Sequence, residues 1–478
     1  MALTSEQEEK VLQMLNAFEN GKRLSDLPNV DGTNPFELTT EVLENGQSKK
    51  AALATLLPNY EDNYAYGVEI DLTVSAPAVT RVGNMAYHKS LPVQNRMRGC
   101  LLDDNGKVVE YLNPKDWTSH TRDGSRGQVM VEIPLHYARF ITNGTKIRAM
   151  ISEYPLPGYH KVPEMYVSAY EAALERSTGK LCSVVNDGTD YRGGNNTADW
   201  DGTYRSLLGR PVTNISRTAF RTAARKRNSG STAWNCYVYM VHQAIYWLYT
   251  IEYANRNSQA AYNAELTSEG YKQGGLGDGV SGISDWNGYN GYNPFVPCGT
   301  TDTLGNQSGV VSYTALKSDG STHYTCNVPR YRGIENPFGH VWKWTDGINI
   351  QINPTEANGG NDLSKVYTCN DPAKFTDSNY DGYAYIGNEA RAEGFVTTLI
   401  FGETGCMLPS AVGGSSSTYY CDYHYTNIPT TVTLRGLLLG GDARNGADGG
   451  LSCAGSDYVP SRTYANVGSR LCSIPAAA

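Results

Sequence analysis

One stretch of this sequence, residues 234–255, carries apolar and aromatic side chains around most of a helical circumference, as a buried core helix requires. The long segments beyond it constrain the fold most: they are rich in Gly, Asn, Ser and Tyr and run to the last residues. Structureless connections beyond about 12 to 15 residues are uncommon in compact domains, so such loops are usually functional or flexible. Gly (50) and Tyr (34) are plentiful and charged residues make up only 18%, which suits short strands and ordered loops better than helical bundles. We expect an α+β, β-rich chain with few helices, the shorter being residues 216–227.

Single cores stop growing at about 250 to 300 residues, so a chain of 478 residues should hold about two or three modules. Thr4 and Gln7 form a capping box, and Val11, Leu15 and Phe18 fall on one stripe, which predicts a helix within the first 20 residues. So narrow a stripe suits a neighbouring chain, a short trimeric coil or the chain's own body. Residues 24–44 are polar and turn-rich, and 49–57 resume a short helix that Pro58 ends. We divide the chain into residues 1–60, a helical attachment or oligomerisation segment; 61–158, a β-rich middle domain; and 159–478, the last domain. In the middle part Val68, Ile70 and Leu72 alternate, Asp103-Asp104-Asn105-Gly106 reads as a hairpin turn, and 129–140 with 146–152 form strands around Asn143-Gly144. Pro155-Leu156-Pro157-Gly158 marks the entrance to the last domain.

The formal charge of -8 is spread without a basic stripe, so nucleic acid is not expected as a partner. The most apolar stretch, 236–251, is shorter than the roughly 20 residues of a membrane span and is interrupted by His242 and Gln243. The first residues have neither a basic nor an apolar secretion region, so we expect assembly in the cytoplasm. Ten cysteines sit far apart with no C-x-x-C pair and read as small buried hydrophobes. Asp187, Asp190, Asp199 and Asp201 could donate oxygens to Ca²⁺, though without EF-hand spacing. Residues 277–282 satisfy G-x-G-x-x-G by letter, but no strand precedes and no helix follows, so we read a loop. There is no P-loop, His-Glu-x-x-His or nucleophile elbow; paired carboxylates of a glycan depolymerase need not be close in sequence.

Tyr166-Val167-Ser168-Ala169-Tyr170-Glu171 is similar to the strand that opens the formylglycine-generating, sulfatase-modifying fold, a variant of the C-type lectin fold. Pro211-Val212-Thr213-Asn214-Ile215-Ser216 resembles the approach to that family's first helix, and Trp247 with Glu252-Tyr253-Ala254-Asn255-Arg256 the end of its second. The most specific match is the stretch from Asn336 to Asp346, which resembles the family's Gly-Asn-Val-Trp-Glu-Trp signature with His340 and Lys343 as departures. Leu434-Arg435-Gly436 and Asn466-Val467-Gly468-Ser469-Arg470-Leu471 resemble its closing strands. Trp342 and Trp344, two apart on a strand, should form one aromatic wall of the core, and Arg435 and Arg470 should anchor the terminal strands. The resemblance implies a C-type-lectin-like last domain. Oxidase members bind copper through two cysteines shortly after the Arg-Gly strand; here residues 437–450 contain none, and only Cys453 precedes Cys472. A lone thiolate cannot reproduce the two-coordinate site that Cu(I) prefers. No histidine cluster suits iron either, so we expect no enzyme and no cofactor, with Ca²⁺ left open.

Residues 80–84, 91–99, 127–134 and 155–159 resemble stretches that precede lectin-like domains in phage tail and head fibres. The first 27 residues, with Asn34-Pro35-Phe36 and Leu56-Leu57-Pro58, are similar to the starts of structural proteins in phages of gut Bacteroidales, including crAss-like phages. The resemblance implies a homotrimeric virion fibre, of head or tail, attached through its N-terminal segment and binding a host surface glycan or protein. A purely structural decoration protein is the alternative. Lectin-like domains of this arrangement also resemble phage tropism determinants, some diversified by retroelements, whose variable residues lie just before the last strand. Here Arg444, Asn445, Asp457, Tyr458, Arg462 and Tyr464 occupy that interval with Asp442, Asp448 and Ser456. Tyr supplies rigid amphipathic contact area, and Asn, Ser and Asp adaptable hydrogen bonds. Trp286, Tyr289 and Tyr292 in one loop, and Tyr419, Tyr420, Tyr423 and Tyr425 in another, are further candidate ligand contacts, although Tyr clusters also pack loops.

Overall fold

The computed structural model describes residues 60–202, 206–262, 291–317 and 319–475, together with the backbone of a hairpin formed by Thr39–Glu44 and Gln47–Ala52. The helix expected within the first 20 residues, the loop at 277–282, Trp286 and Tyr289 lie outside the described residues. The short helix expected over 49–57 is corrected: Gln47–Ala52 is a strand, paired residue for residue with Thr39–Glu44. A helix of so few residues bears the full nucleation cost, whereas pairing with a Thr- and Val-containing strand supplies hydrogen bonds at once.

The two hairpin turns legible in the sequence are present, but the single strand expected over 129–140 is corrected: Pro134, which has no N–H to donate, separates Gln128–Ile133 in one sheet from His136–Asn143 in another. Arg98–Leu102 and Val108–Tyr111 flank the Asp103–Gly106 turn, where Asp103 Oδ1 accepts from the N–H groups of Asn105 and Lys107 at 2.9 Å each. His136–Asn143 and Lys146–Ser152 meet at Asn143-Gly144, with Gly144 at φ 60. They pair onward to Ala65–Asp71, in which Val68 and Ile70 are buried.

A six-stranded sheet runs, in spatial order, Trp234–Cys236, Leu471–Ser473, Met165–Ser168, Gln128–Ile133, Arg98–Leu102, Val108–Tyr111. Strands from before and after the 155–158 turn are therefore neighbours, with Tyr166 opposite Glu132 and Val167 opposite Val131. The opening strand of the last domain also lies beside its closing strand, Tyr166 facing Ser473. This closure, two helices and a separate long-stranded sheet make the C-type-lectin-like arrangement that the sequence resemblance implied. Ser216 caps the Arg217–Arg225 helix, its side chain accepting from the Ala219 N–H at 3.2 Å. The second helix spans Tyr239–Tyr253 and ends at Ala254 in the left-handed region. Its expected first turn is corrected: Trp234–Cys236 is a strand, Trp234 facing Ser473. Trp, Cys, Tyr and Val fit a buried strand as well as a buried helix, and the last strand supplies the partner that decides it.

The central sheet has nine strands, with the long strand Trp342–Ile352 in its middle, beside Thr433–Leu439. Trp342 and Trp344 fall on one side and join a core cluster with Trp234, Phe220 and Leu438. Gly436 lies under Trp344; a Cβ there would approach Cζ3 to 2.7 Å, so the Arg-Gly pair requires its glycine. Arg470 anchors the closing strand as expected, donating to the carbonyls of Ser168 (3.1 Å), Asn336 (2.6 Å) and Glu335. Arg435 forms no ion pair among the described residues, and its Nε is buried without a partner.

A candidate ligand cavity on the central sheet

Neighbouring strands of the central sheet bring one face to the surface near the end of the chain. Val467 pairs in parallel with Trp342, Leu438 faces Gly455 across an antiparallel ladder, and Tyr425 lies in parallel register with Gly455. Above them is a cavity of about 270 Å³. Gly455 leaves its floor open, since a Cβ there would touch Asp457 Oδ1 at 3.3 Å, Leu438 at 3.7 Å and Trp342 at 3.9 Å. The walls are aromatic. Trp342 and Tyr425 meet edge to face, centroids 5.7 Å apart at 86°, and Tyr458 and Tyr464 pack at 5.0 Å and 57°. Tyr292 enters from a remote loop, with the Arg444 guanidinium 4.7 Å above its ring.

Polar contacts hold the walls. The Tyr425 hydroxyl accepts from Asn445 Nδ2 at 2.8 Å and donates to Asp448 Oδ2 at 3.0 Å. Asp442, fully buried, accepts from Arg444 at 3.0 to 3.3 Å and from Asn466 Nδ2 at 2.6 Å. The two departures from the family signature also act here. His340 Nδ1 donates to Glu171 Oε2 at 2.5 Å, and Lys343 Nζ lies 3.0 Å from Glu171 Oε1. His340 Nε2 accepts from the N–H groups of Phe295 (3.3 Å) and Val296 (3.2 Å), fixing the segment just after Tyr292. The His340 carbonyl accepts from the Ala443 N–H at 3.1 Å, beside Arg444. One buried triad thus positions two sides of the cavity. Burial disfavours the Glu171 carboxylate, but Lys343 and His340 outweigh it and hold its pKa down at about 2.

The charge inside the cavity is unevenly matched. Arg444 is neutralised by Asp442, whereas no cation forms an ion pair with Asp457 among the described residues. Burial raises the Asp457 pKa, with Arg435 the cation that acts on it. Burial, then Asp457 and Tyr464, push the Tyr458 hydroxyl up to about 12.

Of the residues singled out from sequence, Tyr292, Tyr425, Arg444, Asn445, Asp457, Tyr458 and Tyr464 line this cavity. Arg462 is exposed in the same loop but outside the lining. Tyr423 flanks it, packed on Phe395 at 5.1 Å and Tyr425 at 4.7 Å. Tyr420 is a correction: it is fully buried, with Arg256 5.2 Å from its ring, and cannot meet a ligand. Tyr419 is turned the same way, toward Arg256 at 5.7 Å, and its N–H is bound to the Ser75 carbonyl at 2.6 Å. Trp342, Leu438, Gly455, Asn466 and Val467 also line the cavity. Sequence reasoning read Trp342 as core and missed the others; a glycine within a strand signals close approach, and Gly455 was that signal.

Asp201 is paired with Arg192, and Asp190 accepts from the Ser177 N–H (2.7 Å) and hydroxyl (2.6 Å). Among the described residues no group of three or more His, Cys, Asp or Glu could hold a metal ion. All ten cysteines are buried free thiols, and burial raises Cys453 well above its usual pKa. A larger cavity, about 890 Å³, lies between the His136–Asn143 strand and the Tyr239–Tyr253 helix. Several of its polar groups join its walls: His136 to the Pro134 carbonyl (2.9 Å), Gln243 to Thr404 (2.6 Å) and Trp247 to Gly405 (2.7 Å). It reads as a seam between packed elements. Among the described residues no helix is long and apolar enough to cross a membrane.

No protein-family model and no curated protein matches the sequence. Among solved structures the chain is similar to the Major Tropism Determinant U1 variant, at 10% identity over 77% of each chain with a TM-score of 0.22. It is similar also to the M1 variant (10% identity, 90% of each chain, TM-score 0.23) and the P3c variant (12%, 91% of each, 0.22). Likeness at that level does not align one site with another.

Proposed function

We propose that this chain is a bacteriophage virion fibre protein that binds a molecule on the host bacterium through its lectin-like domain, and that it catalyses no reaction. The carrying observation is the convergence of Tyr292, Tyr425, Tyr458 and Tyr464, from three separate segments of the chain, on one small cavity that also holds Arg444, Asn445 and Asp457. Concave sites with aromatic walls and a few oriented polar groups are built for recognition. The phage assignment rests on the sequence resemblances, as do attachment through the N-terminal segment and assembly as a trimer. Repeated heads on one virion would turn weak single-site binding into useful avidity, a gain of about 10² to 10⁴. The buried, protonation-favouring environment of Cys453 supports a reading without thiolate chemistry.

The test is binding of labelled full-length protein to a panel of gut Bacteroidales strains, beside the Tyr458→Ala/Tyr464→Ala variant. Truncation before the last domain is unsuitable, because Gln128–Ile133 pairs with Met165–Ser168. We expect strain-selective binding that the variant loses by about tenfold or more with unchanged thermal stability. Absence of binding to every strain, a productive host included, would overturn the reading and favour a structural decoration protein.

A further inference from the structure

We propose that the cavity over Gly455 receives a positively charged ammonium group, seated among Trp342, Tyr425, Tyr458 and Tyr464 with the Asp457 carboxylate as its counter-charge. The proposal rests on the reading of this cavity as the ligand site and names the chemistry it selects. Three observations converge. Two aromatic pairs, Trp342 with Tyr425 and Tyr458 with Tyr464, wall the cavity at steep interplanar angles. Ring faces carry negative quadrupole potential, so such a cage attracts a cation from several directions. Second, the charge balance is one-sided. The lining holds one cation and one anion, Arg444 and Asp457, and buried Asp442 already neutralises Arg444. Asp457 is left without an ion-pair partner among the described residues. Its hydrogen bonds come from the Tyr458 hydroxyl and its own backbone, which do not neutralise its charge; an anionic ligand would meet that carboxylate, and a neutral sugar would bring no counter-charge to it. Third, about 270 Å³ is below the usual range of small-molecule clefts and fits one head group rather than an oligosaccharide. The ammonium could belong to a lysine side chain, an amino sugar or a choline-like head group; all three present the same chemistry to the cage.

The test is isothermal titration of the full-length protein with choline, Nα-acetyl-lysine methylamide and glucosamine. The neutral counterparts are 3,3-dimethylbutan-1-ol, Nα-acetyl-norleucine methylamide and N-acetylglucosamine. We expect at least one cationic probe to bind about tenfold or more tightly than its neutral counterpart, which identifies the source of the ammonium, and Asp457→Asn to remove that preference. The wild-type comparison needs no variant, and thermal denaturation checks the folding of Asp457→Asn. Equal binding of cationic and neutral probes, a preference that survives Asp457→Asn, or no binding of any cationic probe would each overturn the proposal. If the protein still binds cells strain-selectively and no ammonium probe competes, the ligand class is wrong and the receptor-binding reading stands. Loss of strain binding in the wild type sinks the earlier reading instead.

Discussion

Gly455 lines the cavity between Asp457, Leu438 and Trp342, so a side chain there would take up space that a ligand would enter. Its backbone is not in the left-handed region, and a Cβ would meet neighbours at 3.3 Å or beyond, so Gly455→Ala should fold normally. We expect less than about 1.5 kcal/mol of destabilisation in denaturant unfolding, with ligand or cell binding reduced several-fold. Unchanged binding would mean that nothing enters over this residue. Asp457 gives a second prediction at this scale. Burial raises its pKa above the ordinary carboxylate value, against hydrogen bonds from its own backbone and from Tyr458; Glu393 adds to the rise and Arg435 opposes it. Arg435 itself feels Arg462, and Tyr458 is the hydroxyl beside the carboxylate. Acidification therefore protonates Asp457 earlier than an ordinary aspartate and removes the counter-charge for a cation. Binding of a cationic probe should weaken as pH falls through the upper carboxylate range, and Asp457→Asn should abolish that dependence; a profile identical in wild type and variant would contradict it.

At the scale of elements, Arg470 ties together three parts of the chain that only the fold makes neighbours: the opening strand, the end of the Ile334–Glu335 strand and the closing strand. Removing it leaves three buried carbonyls short of a donor. Arg470→Ala should cost about 3 to 5 kcal/mol in chemical denaturation, and Arg470→Lys should recover little, because one ammonium cannot reproduce the planar fork. A loss below about 1 kcal/mol would show that the strands close without it. The same element shows what the sequence could reveal. Hairpin turns at Asn143-Gly144 and Asp103–Gly106 were legible because their information is local, as was the helix expected over 216–227. The pairing of Trp234–Cys236 with Leu471–Ser473 was not, since the partner lies at the far end of the chain and the residues suit helix and strand alike. At the site, Tyr425 and Tyr420 look equivalent in sequence; Arg256 draws one into the interior, while Asn445 and Asp448 hold the other at the cavity wall. His340 and Lys343 read as departures from a motif, and Glu171, remote in sequence, explains both.

For the whole molecule, buried ionisable groups set how stability changes with pH. Burial raises five carboxylates: Glu389 to about 8, Glu335 and Asp422 to about 7, and Asp448 and Asp457 above the ordinary value. For an acid with a raised folded pKa, stability is fully present below the unfolded value, 4.5 for Glu and 3.8 for Asp, and is lost as pH rises through the folded one. Five histidines work in the opposite sense, His160 and His424 among them with pKa values lowered by burial. Burial lowers His88, His136 and His242 to about 4 from 6.5, so their contribution is present above 6.5 and lost as pH falls toward 4. Between about pH 4.5 and 6.5 the two sets oppose one another, and above about 6.5 only the carboxylates still titrate. Thermal denaturation should therefore give a nearly level Tm from about pH 4.5 to 6.5 and a decline from there to about pH 8. Glu389 is the group to test, because the Ser456 hydroxyl donates to it at 2.6 Å, next to Asp457 in the cavity wall. Its ionisation puts a desolvated charge beside the loop that carries the site, opposed only in part by the Ser456 hydrogen bond and by Arg391. Glu389→Gln keeps an acceptor for Ser456 and removes the titration, so it should raise Tm at about pH 8, leave it nearly unchanged at about pH 5, and flatten the decline between them. If instead the variant lowers Tm equally at both pH values, the carboxylate is ionised and satisfied throughout, and the loop around Asp457 is not loosened by alkali.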